Sequence, residues 1–190
     1  MRLFAAIELS ESIRAQLAAV RAVVVAADPS WAQEKWVAPE NFHITLRFFG
    51  EVPDDDAARV LDAVGDAIAG LATPRFEAVR VLATPNVRRA RMIWAEWDDV
   101  GRIAESAVHA ITAVLPEYSP DAEKAFRAHA TLCRARQPKG LVSEAMAAAT
   151  SALNCNDEAM SVPAVSLISS RLTPRGPVYV TIGTRHFGGK

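Results

Sequence analysis

Apolar residues recur along this chain in two rhythms, and the switches between them divide it into elements. Ile13, Leu17, Val20 and Val24 fall three and four apart, the spacing that gathers side chains on one helix face. Residues 11–27 are therefore predicted to be helical behind an N-capping Ser10, with Asp28-Pro-Ser30 ending the run. Val60, Leu61, Val64 and Ile68 predict a second helix opening at Pro53, whose acids Asp54, Asp55 and Asp56 sit in the first turn, where the helix dipole favours them. Ile103, Ala107, Ile111 and Leu115 predict a third over 100–114, and an alanine-rich stretch a fourth over 141–153. Between them lie shorter strand-like stretches. Residues 2–9 alternate weakly, residues 75–97 read as a hairpin with a polar tip at 83–91, and 163–172 and 178–184 flank the turn Thr173-Pro-Arg-Gly-Pro177. Residues 116–124 are predicted to be a loop. Helices alternating with pairs of strands, without long buried βαβ runs, indicate an α+β fold.

One strand pattern occurs twice. Asn41-Phe-His-Ile-Thr-Leu-Arg-Phe-Phe-Gly50 contains a His-x-Thr-Leu core that returns at His129-Ala-Thr-Leu132. Strand side chains alternate between faces with a period of two. His43 and Thr45 then share one face, opposite Ile44, Leu46 and Phe48, and His129 and Thr131 share one face, opposite Ala130 and Leu132. Similar elements surround each copy, which predicts two pseudo-symmetric lobes of antiparallel strands with outer helices around a central cleft, in a single bilobal domain over 1–190. In a straight strand Cys133 lies on the His129 face as a small lining residue, Phe48 lies in the core, and Arg134 turns away from His129 unless the strand ends or bulges before it.

Composition narrows the classes. The net charge of −1 argues against a protein that coats long nucleic acid, while leaving room for a local basic groove. The early apolar stretch is broken by Glu8, too short for a signal peptide or a membrane span, so the cytoplasm is the default. Two cysteines, Cys133 and Cys155, build neither a disulfide framework nor a four-ligand metal site.

Two imidazoles and two hydroxyls facing one cleft suit a phosphate diester. Cleavage needs a base for the attacking oxygen and an acid for the departing one, and imidazole titrates near neutrality, at about 6.5. Hydroxyls hold phosphoryl oxygens as charge builds. This scheme calls for no metal or other cofactor. Of the four histidines, His109 and His186 lack such a context and read as structural. Arg88, Arg89 and Arg91 crowd the hairpin tip with no acid between Glu77 and Glu96, either as a solvated loop or as a contact to an RNA backbone. Trp94 and Trp97 face opposite ways on a strand and read as core. A nucleotide-binding module that keeps the pocket without turnover is the alternative class.

His43-Ile-Thr-Leu-Arg-Phe-Phe-Gly50 and His129-Ala-Thr-Leu-Cys-Arg134 together resemble the paired HxTx signatures of the two-histidine (2H) phosphoesterase superfamily. Arg2-Leu-Phe-Ala-Ala-Ile-Glu-Leu9, Trp36-Val-Ala-Pro-Glu-Asn-Phe-His43, Arg91-Met-Ile-Trp94 and Ser170-Arg-Leu-Thr-Pro-Arg-Gly-Pro-Val-Tyr179 resemble its bacterial RNA 2′,3′-cyclic phosphodiesterase (2′–5′ RNA ligase) branch. The resemblance implies a hydrolase of RNA 3′ ends or 2′,3′-cyclic nucleotides that leaves a 2′-phosphate. In it His43 is the proton donor to the leaving 3′ oxygen, His129 is the acceptor that activates water, and Thr45 and Thr131 bind the phosphate. Arg134 matches a family position and is expected to contact the phosphate. A monomer without membrane attachment, and 2′–5′ RNA ligation as the reverse of the same chemistry, complete the expectation.

Overall fold

Ser10 accepts a hydrogen bond from the Ile13 amide at 3.3 Å and so starts the first helix, α1 (Glu11–Ala27), which buries Leu17, Val20 and Val24. The structure, a computed structural model, describes residues 1–118, 125–153, 160–174 and 176–188. The remaining helices are α2 (Ala57–Ile68), α3 (Ile103–Val114) and α4 (Ser143–Ser151). Asp54, Asp55 and Asp56 form a short 3-10 turn ahead of α2. The strands are β1 (Arg2–Glu8), β2 (Lys35–Trp36), β3 (His43–Glu51), β4 (Arg75–Thr84), β5 (Ala90–Val100), β6 (His129–Lys139), β7 (Met160–Ser161), β8 (Ala164–Thr173) and β9 (Gly176–His186).

These strands make two antiparallel sheets, ordered β3-β1-β8-β9 and β2-β6-β5-β4-β7. The α+β expectation holds, and each His-x-Thr-Leu copy lies in a different sheet. β3 and β6 approach one another across the boundary between the sheets. One apolar cluster joins the helices to the inner faces of both sheets. β1 is central in its sheet and is buried on both faces. Leu3, Ala5 and Ile7 enter the main core, whereas Phe4 and Ala6 join Ile168 and Tyr179 in a small second cluster on the opposite face.

The boundaries differ from expectation where backbone geometry outweighs periodicity. The third helix begins at Ile103 rather than at residue 100, because β5 continues to Val100 and the chain reverses through Gly101 and Arg102, both at positive φ. The Asp99 carboxylate then caps α3 by accepting from the Ala104 and Glu105 amides at 3.2 and 2.9 Å. β6 runs on to Lys139 through Pro138, which β2 does not reach, so the missing proline N–H breaks no ladder there. The two-residue strands β2 and β7 are too short to show a period. Cys155, part of the 116–124 loop and Arg175 of the last turn lie outside the described residues. Among the described residues, no helix is long and apolar enough to cross a membrane.

Trp31, fully buried, ties the segment after α1 to the end of β6. Its indole N–H donates to the Gly140 carbonyl at 3.1 Å, and the Lys139 ammonium lies 5.4 Å from its ring centre while donating to the Ser30 carbonyl at 2.8 Å. Trp31→Ala is expected to cost about 3–5 kcal/mol of folding free energy, read as a shift in the urea unfolding midpoint.

Candidate active site

His43 is placed by the turn before it. Pro39 opens a 3-10 turn over Pro39–Asn41, buried Phe42 anchors the next residue, and the Asn41 carbonyl accepts a hydrogen bond from His43 Nδ1 at 2.8 Å. A carbonyl only accepts, so Nδ1 carries the hydrogen and Nε2 is the ring nitrogen left for chemistry. Nε2 lies 3.0 Å from Thr45 Oγ1, the neighbour expected on the same face. The ring packs between Phe4, at 5.0 Å between centroids, and the edge of Tyr179, at 5.4 Å. Glu8 stands opposite His43 in the β1–β3 register and accepts from the Thr181 hydroxyl at 3.2 Å.

His129 repeats the arrangement. Its Nδ1 donates to the carbonyl two residues back, that of Arg127, at 2.8 Å, so its Nε2 is likewise the ring nitrogen without the hydrogen. Its surroundings differ. Trp94 stacks on the imidazole at 3.8 Å between centroids, and the Arg127 guanidinium sits 5.2 Å from the Trp94 ring centre on a cation–π contact. Arg127 is ion-paired to Glu96, a 6% exposed carboxylate opposite His129 in the β5–β6 register. Arg80 also binds Glu96, at 3.1 Å, so the buried acid is compensated from two sides. Trp97, three residues on, is core as expected; Trp94 is not, because it shares the cleft face with Thr131.

Both strands break period two at the same residue of the motif. In β3 the partners of Ala6 and Ala5 are Thr45 and Arg47, so Leu46 is an inserted bulge residue; in β6 the partners of Trp94 and Ile93 are Thr131 and Cys133, so Leu132 is. Each bulge reverses the alternation beyond it. Arg47 and Cys133 turn inward, 7% and 0% exposed, and Phe48 and Arg134 come out on the cleft face. Two straight-strand expectations are corrected by this. Cys133 does not line the pocket, and burial pushes its thiol up to about 12. Phe48 is not core but 50% exposed, leaning on Phe4 at 5.5 Å. The bulge considered for Arg134 is the geometry found, and its guanidinium reaches Met92 Sδ at 3.1 Å. His109 and His186 are exposed on α3 and at the end of β9, away from the motif strands.

The charges place the groups in one electrostatic neighbourhood. Burial holds the His43 imidazole below its ordinary value, with the charges of His129 and Arg134 acting the same way and the Asn41 carbonyl and Glu8 opposing. Burial likewise lowers His129, reinforced by Arg127 and Arg134 and opposed by the Arg127 carbonyl and Glu96. Burial raises the Tyr179 phenol, while Arg134 and Arg2 pull it down. Arg134 thus acts on both histidines and on Tyr179. In the free protein both imidazoles favour the neutral form, and an anion bound among them would return charge to both. Sequence periodicity missed Phe4, Tyr179 and Trp94 as site residues. Register across three strands makes them neighbours, and a single chain shows no register. Among the described residues no three His, Cys, Asp or Glu side chains converge to hold a metal.

Two antiparallel sheets presenting His-x-Thr strands toward each other define a two-histidine phosphoesterase. A profile described as LigT like Phosphoesterase matches residues 7–94, which include the first motif. The RNA 2′,3′-cyclic phosphodiesterase of Thermus thermophilus is 32% identical over 190 residues, spanning 96% of this chain and 88% of the relative. That of Methanothermobacter thermautotrophicus is 28% identical over 185 residues, spanning 94% and 95%. A solved structure from Thermus thermophilus superposes with a TM-score of 0.77 at 29% identity over the whole of both chains. E. coli LigT complexed with 3′-AMP shares the fold, with a TM-score of 0.72 at 20% identity over 98% and 97% of the two chains. The chain belongs to the LigT-like phosphoesterase family.

Arg134→Gln is expected to raise the titration midpoints of both His43 and His129, because the cation that disfavours their charged forms is gone. Arg127→Gln should raise His129 and leave His43 nearly unmoved. Histidine ring NMR signals followed against pH check both; a rise at His129 alone in the Arg134 variant would place Arg134 outside the shared cleft.

Proposed function

We propose that this protein hydrolyses RNA or nucleotide 2′,3′-cyclic phosphates to 2′-phosphomonoesters by acid–base catalysis between His43 and His129. The observation that carries the reading is the matched pair of imidazoles, each with Nδ1 tied to a carbonyl two residues back, which leaves Nε2 as the nitrogen that exchanges a proton. The relatives named RNA 2′,3′-cyclic phosphodiesterase support the substrate class.

In the step proposed, His129 Nε2 takes a proton from water as its oxygen bonds to phosphorus. The bond from phosphorus to the ribose 3′ oxygen breaks, and that oxygen takes the proton carried by His43 Nε2. The product is a 2′-phosphate beside a free 3′-hydroxyl, with the histidines left in exchanged protonation states that solvent resets. His43 must enter this step charged and His129 neutral. The cyclic phosphate supplies part of that condition, since its negative charge opposes the burial that holds His43 neutral. The hydroxyls of Thr45 and Thr131 and the Arg134 guanidinium bind the phosphoryl oxygens as charge builds on them. Tyr179 and Phe4 fix the His43 ring, and Trp94 fixes that of His129.

The same site serves ligation if a 5′-hydroxyl replaces water. His129 then deprotonates that hydroxyl, the 3′ oxygen leaves as before, and a 2′–5′ linkage forms. Water at bulk concentration favours hydrolysis unless RNA ends are held close.

The test is product analysis on an RNA oligomer ending in a 2′,3′-cyclic phosphate. The expected product is a 2′-phosphate end, with His43→Ala and His129→Ala each slowing turnover roughly 10²–10⁴-fold while the circular dichroism spectrum is unchanged. A 3′-phosphate product would overturn the assigned leaving group, and near-normal turnover in both variants would overturn the mechanism.

A further inference from the structure

The hairpin tip between β4 and β5 carries a charge pattern that cleavage of a terminal phosphate does not use. Arg88, Arg89 and Arg91 are all exposed there. Seven other cations, Arg59, Arg75, Arg80, Arg102, Arg127, Arg185 and Lys139, each have a carboxylate partner. Among the described residues, no carboxylate pairs with any of the three tip arginines. Three uncompensated cations on one short turn repel one another, and a bound polyanion removes that repulsion.

The register joins this tip to the site. Along β5 the residues facing β6 run from Glu96, opposite His129, through Trp94, opposite Thr131, to Met92, opposite Arg134. Arg134 is in turn opposite Lys35 of β2. Directly opposed residues share a sheet face, so Lys35, Arg134 and Met92 form a row beside the Thr131–Trp94 row. Arg91 follows Met92, about 10 Å along the strand from Trp94, and Arg89 and Arg88 complete the turn. Charge therefore becomes more positive in one direction away from the histidines. In the other direction the charges are matched, Glu96 and Asp98 on β5 being paired with Arg80 and Arg127, and Glu8 on β1 stands opposite His43.

A 2′,3′-cyclic phosphate closes the 3′ end of its chain, so any further nucleotides extend only on the 5′ side of the terminal ribose. We infer that the 5′ continuation of an RNA strand leaves the cleft past Lys35 and along the β4–β5 tip, where Arg88, Arg89 and Arg91 hold its phosphodiester backbone. This rests on the proposed function for the chemistry at the terminus and adds to it a polynucleotide subsite. The contacts are to backbone phosphates and carry no base preference.

The test is the full chain carrying Arg88→Gln, Arg89→Gln and Arg91→Gln together. These side chains are exposed, and the bonds that shape the turn run from the Arg88 and Arg89 backbone amides to Asn86 Oδ1, which glutamine retains. Binding of a fluorescent oligoribonucleotide, read by anisotropy, needs no turnover. It is expected to weaken on the order of tenfold, and the slope of log affinity against log salt to flatten by roughly 2 for three lost single-strand phosphate contacts. Hydrolysis of 2′,3′-cyclic AMP, which has no 5′ continuation, should change less than about twofold. Unchanged oligomer binding, or no oligomer binding by the unmodified protein, overturns the subsite. An equal loss on the mononucleotide overturns it as well, by showing damage to the reaction centre. Failure of the unmodified protein to turn over 2′,3′-cyclic AMP or the oligomer while the binding difference persists would instead count against the proposed reaction.

Discussion

A β-strand presents alternate side chains to alternate faces, and a site that needs three residues from one strand must either space them evenly or break the rule. Here both motif strands break it at the same leucine, Leu46 in β3 and Leu132 in β6. Ahead of the bulge the strand delivers an imidazole and a hydroxyl to the cleft in ordinary alternation. Beyond it, residues that would have turned inward come out, namely Phe48 in one sheet and Arg134 in the other, while Arg47 and Cys133 turn inward. The leucines stay in the core, so the break is held by the same burial that stabilises the strand. That offset brings the Arg134 charge to bear on both histidines and sets Phe48 against Phe4, while register brings Trp94 and Tyr179 to the rings.

The two lobes share a backbone plan and differ in what surrounds each ring. His43 lies between Phe4 and Tyr179, with Glu8 across the register. His129 stacks on Trp94, which Arg127 also contacts, with Glu96 holding Arg127. Each ring is oriented by a carbonyl on Nδ1 and by aromatic packing, so neither needs a carboxylate of its own to select the tautomer. Different neighbours around two identical groups are the physical route by which, in the proposed reaction, one would serve as acid and the other as base.

Much of this was legible in the chain. The four helices, the hairpin, the closing strand pair and the duplicated motif follow from spacing alone, because long amphipathic periods report which face is buried. The errors fall where a fact is non-local. Cys133 and Phe48 were misplaced because a bulge is a relation between two strands, and the bulged strand reads like a straight one. Trp94 looked like core for the same reason: only register places it over His129. The start of α3 was misjudged because β5 continues into a left-handed turn and Asp99 supplies the cap, a signal that was present but lay behind an apolar residue. Arg134 was the one position where parity itself flagged a bulge, since a five-residue step from a histidine is odd.

The central claim is that two histidines from different sheets act on one phosphate through their Nε2 atoms. Histidine-selective nitrogen-15 NMR during titration with 2′-AMP tests it most directly. The account predicts that His43 and His129 both carry the hydrogen on Nδ1 in the free protein and that both rings respond with one shared dissociation constant. They should also both move toward the charged form as the anion binds. A response from one ring alone, or a hydrogen on Nε2 of either neutral ring, would contradict it.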